Sequence, residues 1–308
     1  MVISSAFDVV VLGEVLVEIA TSEPFRPGVS AVLGVSGDAL NCAANAAAAG
    51  ARVGLVDVIG DDELGGAIAK RIAELGVSLE LLRVRPGQQG MYLVHSDPEG
   101  ARAFSYARRG SVGSTLGPGD VPERVVRDAG IVVASGIPCA ISDSAREAVF
   151  HAAGLASRFV FDPNFRPSLT TIEEAALTMR ELAPLAETVT PSHPFETNAL
   201  LGATSAEEAG GMLLALGARH ALITCGAEGA VLMGGAGTNV IPAVPAPLLI
   251  DQTGAGDALL GAFCARLARG DSHLEAARYA AAAASLSLSG QGGLGHIVAA
   301  RKEIRANA

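Results

Sequence analysis

The stretch Asp251-Gln252-Thr253-Gly254-Ala255-Gly256-Asp257, continuing into Ala258-Leu259-Leu260-Gly261-Ala262-Phe263, decides how this chain is read. Two glycines flanking an alanine let the backbone turn tightly and present N–H groups that no Cβ shields. The run from Ala258 to Phe263 is small and apolar without proline, which predicts a helix that begins at the turn. A glycine-rich turn feeding a helix N-terminus is an anion site, because unpaired N–H groups and the helix dipole both favour negative charge. Asp257 stands at that positive end. An isolated aspartate there would be an N-cap. Next to an anion cradle, a carboxylate can instead take the proton of an attacking hydroxyl while the turn stabilises a migrating phosphoryl group.

Outward from this turn the chain alternates strand and helix. Phe7 to Leu12 is a β-branched apolar run ended by Gly13-Glu14, the pattern of a buried parallel strand. Val15 to Ile19 continues extended, and Thr21 to Gly28 is a proline-containing loop. Cys42 to Ala49 is an alanine-rich helix stopped by Gly50. Val53 to Gly60 reads as the second buried strand, and Asp61 to Leu75 as a capped amphipathic helix ending at Gly76. Between Gln88 and Ser111 the texture changes: Met91 to His95 and Ala101 to Tyr106 flank Asp97-Pro98-Glu99-Gly100, a hairpin signature. Further strands are expected at Ile131–Ala134, Phe159–Asp162, Thr188–Thr190, Ala221–Cys225 and Ala230–Met233. This order predicts an α/β fold, a doubly wound, mostly parallel central sheet with helices on both faces, plus a small antiparallel sheet. Strands of such a sheet deliver ligand residues at their carboxyl ends. Gly13-Glu14, Asp162 to Arg166, Pro191 to Glu196 and Gly226 to Gly229 all sit there.

Composition narrows the class. Half of the 308 residues are hydrophobic, with 37 glycines and no tryptophan, so a large aliphatic core is available and disorder is not expected. The net charge of −10 argues against nucleic acid or an anionic membrane surface as a partner. Cys42, Cys139, Cys225 and Cys264 are far apart, with no Cys-x-x-Cys spacing, and read as thiols in a reducing compartment. The N-terminal segment has acids at Asp8, Glu14 and Glu18 and no basic region of the signal-peptide kind, and no apolar run spans a bilayer. A cytoplasmic protein of one domain, residues 1–308, is expected.

The string Asp251-x-Thr253-Gly254-Ala255-Gly256-Asp257 resembles the C-terminal signature of the ribokinase family of carbohydrate kinases, also called the phosphofructokinase-B family. The resemblance implies a ribokinase-like fold in which Asp257 is the catalytic base and Gly254, Ala255 and Gly256 form the anion hole, with Thr253 beside the nucleotide. It implies ATP and Mg²⁺ as cofactors, leaves room for a monovalent cation, and makes the small sheet, built from parts of 14–36 and 88–111, a lid over the sugar. Homodimers through that lid occur in the family.

The resemblance extends to other segments. Gly34 to Asn41 matches the N-terminal sugar-binding signature, with Ser36 where the family's first glycine stands. Gly37-Asp38-x-Leu40-Asn41 resembles the form found in its sugar-acid kinases, so Gly34, Gly37, Asp38 and Asn41 are implied to meet the substrate. Gly13-Glu14-x-x-x-Glu18 resembles the opening of the 2-keto-3-deoxygluconate kinases of the family. Glu14 is a candidate for substrate contact, with a solvated strand end as the open alternative. Glu18 is read as solvated. Arg102-x-Phe104-x-Tyr106-x-Arg108 resembles the lid of the same enzymes, which adds Tyr92, Tyr106 and Arg108 to the substrate set, although the aromatics could equally hold a small sheet together. Asp162-x-Asn164-x-Arg166 implies an arginine that clamps phosphate and substrate acid, with Asn164 near the nucleotide. Glu196 corresponds to a family glutamate that organises Mg²⁺ through water. His193, in place of the usual Asn, is read as a loop residue. Thr224, Gly226 and Gly229 resemble a Thr-x-Gly-x-x-Gly turn that packs on the nucleotide.

Rival classes lack their marks. A dinucleotide oxidoreductase would need Gly-x-Gly-x-x-Gly after the first strand, where this chain reads Gly13-Glu14-Val15, and a P-loop enzyme would need a Gly-Lys pair, which neither Lys70 nor Lys302 provides. A non-catalytic sugar sensor would be expected to lose Asp257 or its glycines. The sequence therefore points to phosphorylation of a sugar or sugar-acid hydroxyl, best 2-keto-3-deoxygluconate, with a ketose such as fructose as the alternative.

Overall fold

In the computed structural model, which describes residues 7–96 and 102–297, the first strand shows why one sheet is central. All four side chains of β1 (Val9–Leu12) are buried. Val10 and Leu12 enter one apolar core and Val9 and Val11 a second one on the opposite face. An unbroken aliphatic run of this kind fits only the middle of a three-layer stack.

The chain continues with β2 (Leu16–Thr21), β3 (Val32–Ser36), α1 (Asp38–Ala48), β4 (Val53–Val56), β5 (Val58–Gly60), α2 (Glu63–Glu74), β6 (Arg83–Arg85), β7 (Met91–Ser96) and β8 (Arg102–Ala107). Then come α3 (Glu123–Asp128), β9 (Ile131–Ser135), α4 (Gly136–Ile141), α5 (Asp143–Leu155), β10 (Phe159–Asp162), α6 (Ile172–Leu182), β11 (Thr188–Val189) and α7 (Phe195–Leu201). The last elements are α8 (Ala206–Ala215), β12 (His220–Thr224), β13 (Ala230–Gly234), β14 (Gly237–Ile241), α9 (Ala255–Ala268) and α10 (His273–Ser287). The eight-stranded sheet runs in the order β14-β13-β12-β11-β10-β9-β1-β4, parallel from β4 to β12 and antiparallel at β13 and β14. Helices α3 and α5 to α8 supply the core on one face, and α1, α2, α9 and α10 the core on the other. The doubly wound sheet expected from the sequence is present. Among the described residues no helix is long and apolar enough to cross a membrane.

A second sheet, in the order β3-β2-β7-β8, is drawn from the two stretches expected to form the lid. It is mixed: β2 pairs antiparallel with β3 but parallel with β7, and β7 and β8 form the hairpin. The turn expected at Asp97–Gly100 lies outside the described residues.

Local chemistry moves some boundaries. Helix α1 begins at Asp38 rather than Cys42. The single strand expected over Val53–Gly60 breaks at Asp57, and β5 leaves the main sheet to pair with β6. The cause is the Asp57 carboxylate, fully buried, which accepts the Val15 N–H at 2.8 Å and the Val58 N–H at 2.7 Å. A side chain that captures two backbone donors competes with the sheet ladder for them. Burial raises the Asp57 carboxyl well above the usual range.

One close approach sets the site. A Cβ at Gly261 in α9 would lie 2.2 Å from Cys42 O in α1, so these two helices cross with their backbones nearly touching. Their N-terminal ends carry Asp257 and Asn41 side by side.

Candidate active site

At the carboxyl ends of the parallel strands, beneath the four-stranded sheet, lies a cavity of about 590 Å³. The turn after Gln252 enters it from below. Gly254 takes φ +77° as the N-cap of α9, and a Cβ there would lie 2.5 Å from Gly293 Cα, so only glycine fits. Asp251 ties this turn down: its Oδ1 accepts from the Thr253 N–H at 2.9 Å and the Thr253 hydroxyl at 2.8 Å, and its Oδ2 from the Gly292 N–H at 2.9 Å. The Ala258 N–H is bonded to Gly254 O, while the N–H groups of Gly256 and Asp257 have no backbone acceptor among the described residues. Donors left free at a helix start are available to an anion.

Asp257 faces the same cavity from the first turn of α9. Burial and the nearby Asp38 carboxylate push its carboxyl up to about 7, while the Asn41 amide and Arg166 pull the other way. Asn41 Nδ2 donates to Asp257 Oδ2 at 2.9 Å. Asp38 is held in turn by the Ser135 hydroxyl at the end of β9. A carboxylate with a proton affinity near neutrality, hydrogen-bonded and beside free N–H donors, has the equipment of a general base.

From above, Tyr92, Phe104, Tyr106 and Arg108 close the cavity. The three aromatic rings pack together with centroids about 6 Å apart, so the aromatics hold the sheet and line the site at once. Arg108 is buried and donates from Nε to Glu14 Oε2 at 2.8 Å and from Nη2 to the same oxygen; the Ser111 hydroxyl donates to Glu14 Oε1.

After β10, Asn164 takes φ +42°, a left-handed conformation that asparagine tolerates better than most residues, and its N–H donates to Asp162 Oδ1 at 3.0 Å. This turn throws Arg166 to the mouth of the cavity. Glu196, on α7, is 4% exposed. Its Oε1 accepts the Phe165 N–H at 2.6 Å, and its Oε2 the N–H and hydroxyl of Ser192 at 2.7 and 2.8 Å. Burial and the Glu196 and Asp257 carboxylates raise Asp162 well above its ordinary range.

Residues 6–297 match the pfkB family of carbohydrate kinases. The chain belongs to that family. It is 35% identical over 289 residues to the 2-dehydro-3-deoxygluconokinase of Thermoproteus tenax, covering 92% of this chain and 89% of that one. To the 2-dehydro-3-deoxygluconokinase of Bacillus subtilis it is 30% identical, covering 73% and 71%. A crystal structure of a PfkB protein from Polaromonas sp. JS666 superposes with a TM-score of 0.85 at 26% identity, covering 95% of this chain and 99% of that one. The fructokinase of Xylella fastidiosa shares the fold, with a TM-score of 0.81 at 22% identity over 93% of this chain and 94% of its own.

Within this carbohydrate kinase most of the residues expected from sequence meet at one cavity: Gly37, Asp38, Asn41, Tyr92, Tyr106 and Arg108; Asn164, Arg166, Glu196 and Thr224; and Thr253, Gly254, Ala255, Gly256 and Asp257. Some do not. Glu14 is 1% exposed and does not line the cavity; its carboxylate is used up on Arg108 and Ser111, so it anchors a site residue instead of meeting a ligand. Gly34 lies in β3 along a separate hollow shared with Glu18 and Gly292. Gly226 is exposed outside the cavity, and Gly229 serves the β12–β13 turn, where a Cβ would lie 2.1 Å from Ile241 O. Glu18 is not simply solvated: it is half-buried and accepts from the Tyr92 hydroxyl. His193 is a loop residue, its Nδ1 2.7 Å from the Thr197 hydroxyl. Ser36, Ser135 and Ser192, which orient Asn41, Asp38 and Glu196, were missed. Ser135 was within reach, since it ends a strand of the same sheet as Asp162.

A second group of acid and imidazole side chains, Glu187, His220 and His273, lies apart from the cavity. Its carboxylate is surrounded by ion-pair partners. Arg158 and Arg219 both face the Glu187 carboxylate, at 3.0 and 3.6 Å. The two imidazoles stack with centroids 3.5 Å apart and planes inclined by 17°.

Proposed function

We propose that this carbohydrate kinase transfers the γ-phosphoryl group of ATP to a hydroxyl of a 2-keto-3-deoxy sugar acid, 2-keto-3-deoxygluconate being the best candidate. The observation that carries the reading is the presence of Arg108 on the lid side and Arg166 at the mouth of the cavity that holds Asp257. A sugar carboxylate leaving water needs a charged, hydrogen-bonding partner, whereas a neutral ketose needs hydrogen bonds but no cation. The kinship to the two dehydro-deoxygluconokinases supports it.

In this reading Asp38 and Asn41 accept and donate to sugar hydroxyls, Tyr92 and Tyr106 cover the ring, and Arg108 holds the acid end. Asp257 takes the proton of the attacking hydroxyl as its oxygen bonds to phosphorus and ADP leaves. The free N–H groups at Gly256 and Asp257 receive the charge that develops on the phosphoryl oxygens. Thr253, Thr224 and Asn164 lie along the cavity wall on the nucleotide's path. Mg²⁺ bound with ATP would neutralise phosphate charge. Both Glu196 oxygens already accept backbone or hydroxyl hydrogens, which fits a carboxylate that reaches the ion through water and not by direct ligation. The edge strand β3, with Val32 and Leu33 exposed, is where a homodimer would form.

The second reading, a ketose kinase, is favoured by one observation: Glu14 already neutralises Arg108 in charge. A coupled assay of ADP release with 2-keto-3-deoxygluconate, 2-keto-3-deoxygalactonate, fructose and ribose separates the two. The expected result is a kcat/KM highest on an acid. A wild type faster on fructose than on every acid assigns the enzyme to the ketose kinases.

A further inference from the structure

Two carboxylates, Glu18 in the lid sheet and Asp257 at the base of the cavity, lie at the two ends of a row of polar side chains. Tyr92 on β7 donates its hydroxyl to Glu18 on β2. Ser36, the last residue of β3, lines the same cavity as Tyr92. Ser36 Oγ donates to Asn41 Oδ1 at 3.3 Å, and Asn41 Nδ2 donates to Asp257 Oδ2 at 2.9 Å. Ser36 and Asn41 are each 4% exposed, so water does not readily substitute for the bond between them.

Asn41 is also confined. A Cβ at Gly293 would lie 2.4 Å from Asn41 Nδ2, and one at Gly254 3.4 Å from it. The carboxamide packs against the bare faces of these two glycines, and a half-turn in place exchanges its oxygen and nitrogen. The two orientations serve different forms of Asp257. With the NH₂ toward Asp257, the amide donates to a carboxylate. With the oxygen toward Asp257, it accepts from a protonated carboxyl. In the first orientation Ser36 must donate to Asn41. In the second, the Asn41 NH₂ donates to Ser36, whose own hydrogen must turn to another acceptor, while Tyr92 still donates to Glu18.

We propose that Ser36 is a positioning residue for the base: by donating to Asn41 Oδ1 it holds the amide NH₂ on Asp257 and so favours the ionised form that accepts the substrate proton. Because Ser36 ends β3, the same hydroxyl ties the state of the base to the lid sheet. This rests on the reading of Asp257 as general base. The other charged groups that face Asp257 are Asp38 from α1, Asp162 from the end of β10 and Arg166 from the loop after it. At the far end Glu18 faces Asp251. None of these contacts changes when the Ser36 hydroxyl is removed, so its effect can be read separately.

The test is the pH dependence of kcat and kcat/KM for purified Ser36→Ala and Ser36→Thr, with thermal melts to confirm folding and Asp257→Asn as the control on the underlying reading. Removing the hydroxyl should move the acid limb of both profiles up by about one pH unit, the worth of weakening a hydrogen bond to a charged group. Turnover at pH 6 should fall about tenfold while the values converge with wild type above about pH 9 and KM stays within about twofold. Ser36→Thr, which keeps the donor, should restore the wild-type limb. Should Thr not fit beside Tyr92, seen as a lowered melting temperature, Ser36→Cys is the substitute: its weak donor should place the limb between those of wild type and Ser36→Ala. An acid limb unmoved in a folded Ser36→Ala overturns the proposal. A loss of turnover equal at all pH values also overturns it, because a merely structural defect would act that way. If Asp257→Asn keeps most of its turnover, the base assignment itself fails and the two outcomes are told apart.

Discussion

Arg108 and Glu14 form a buried pair in which the guanidinium Nε lies 2.8 Å from Glu14 Oε2, with side chains only 7% and 1% exposed. One residue of the pair lines the cavity and the other does not. The arginine therefore reaches the substrate side already anchored from behind, and its planar fork keeps donors to spare.

Removing either partner has separable effects on activity and stability. Arg108→Ala should lower kcat/KM on a keto-deoxy acid by about 1.5–3 kcal/mol, the range for a hydrogen bond to a charged group, and scarcely affect activity on fructose. It also strands Glu14, whose carboxyl burial already raises while Arg108 and Ser111 hold it down. A buried charge left alone costs about 3–5 kcal/mol, so the variant should be less stable, more so at pH 8 than at pH 5, where Glu14 can take up a proton. The double variant Glu14→Gln, Arg108→Ala should regain part of that stability in urea melts without regaining activity. Equal kinetic losses on acid and ketose would mean that Arg108 only shapes the lid.

Asp257 carries opposite consequences for rate and stability. With its carboxyl pushed up to about 7, kcat/KM should rise with pH along a one-proton limb centred near 7. Asp257→Asn should lower kcat by about 10² or more, the usual scale for losing a general base. The folded-state value lies above the unfolded one, so the group's contribution to stability is full at low pH and is lost as pH climbs from about 4 through 7. The Asn variant should accordingly melt at a higher temperature than wild type at pH 8 and at the same temperature at pH 4. A variant less stable than wild type at pH 8 would contradict the burial argument.

The four-stranded sheet supplies a test of closure. Backbone amides of Met91–Ser96 and Arg102–Ala107 should exchange more slowly when a saturating sugar acid and a non-hydrolysable nucleotide are added together, because Tyr92, Tyr106 and Arg108 would then be held by the ligand. Exchange unchanged at saturation would count against a lid that closes.

Legibility in the sequence divides along physical lines. The anion turn and β1 were legible because their chemistry is local: glycine spacing sets a turn, and an unbroken aliphatic run sets a strand buried on both faces. Asp57, Glu18 and Ser36 were not. Asp57 breaks a strand by binding the N–H of Val15, 42 positions away, and Glu18 is taken out of solvent by Tyr92, 74 positions away. A carboxylate at a strand end looks the same in a sequence whether it meets water or a distant donor. Ser36 stood out as a departure from a familial glycine, yet its meaning depends on where Asn41 and Tyr92 arrive in space. Glu14 shows the same limit from the other side: its position beside the site was legible, but the arginine that consumes it lies 94 positions on.

The last expectation concerns Glu187, far from the chemistry. The His273 imidazole, with Nε2 3.2 Å from Oε1, and the hydrogen bond and charge of Arg158 hold its carboxyl down at about 2 against the opposing push of burial. Its ordinary value in an unfolded chain is near 4.3. A group whose folded-state value is depressed contributes stability that is fully present above the unfolded value and is lost as pH falls through the folded one. The difference in unfolding free energy between wild type and Glu187→Gln should therefore be constant above about pH 5 and shrink progressively as pH drops from there toward 2. The full pKa displacement is an upper bound, because the Arg158 guanidinium, 31% exposed, is partly screened by solvent; about 1–2 kcal/mol at pH 6 is expected. Urea melts from pH 3.5 to 7 measure it. A difference that stays constant down to pH 3.5, or grows as pH falls, would show that Glu187 stabilises the fold by shape and packing and not by the charge that Arg158 and His273 surround.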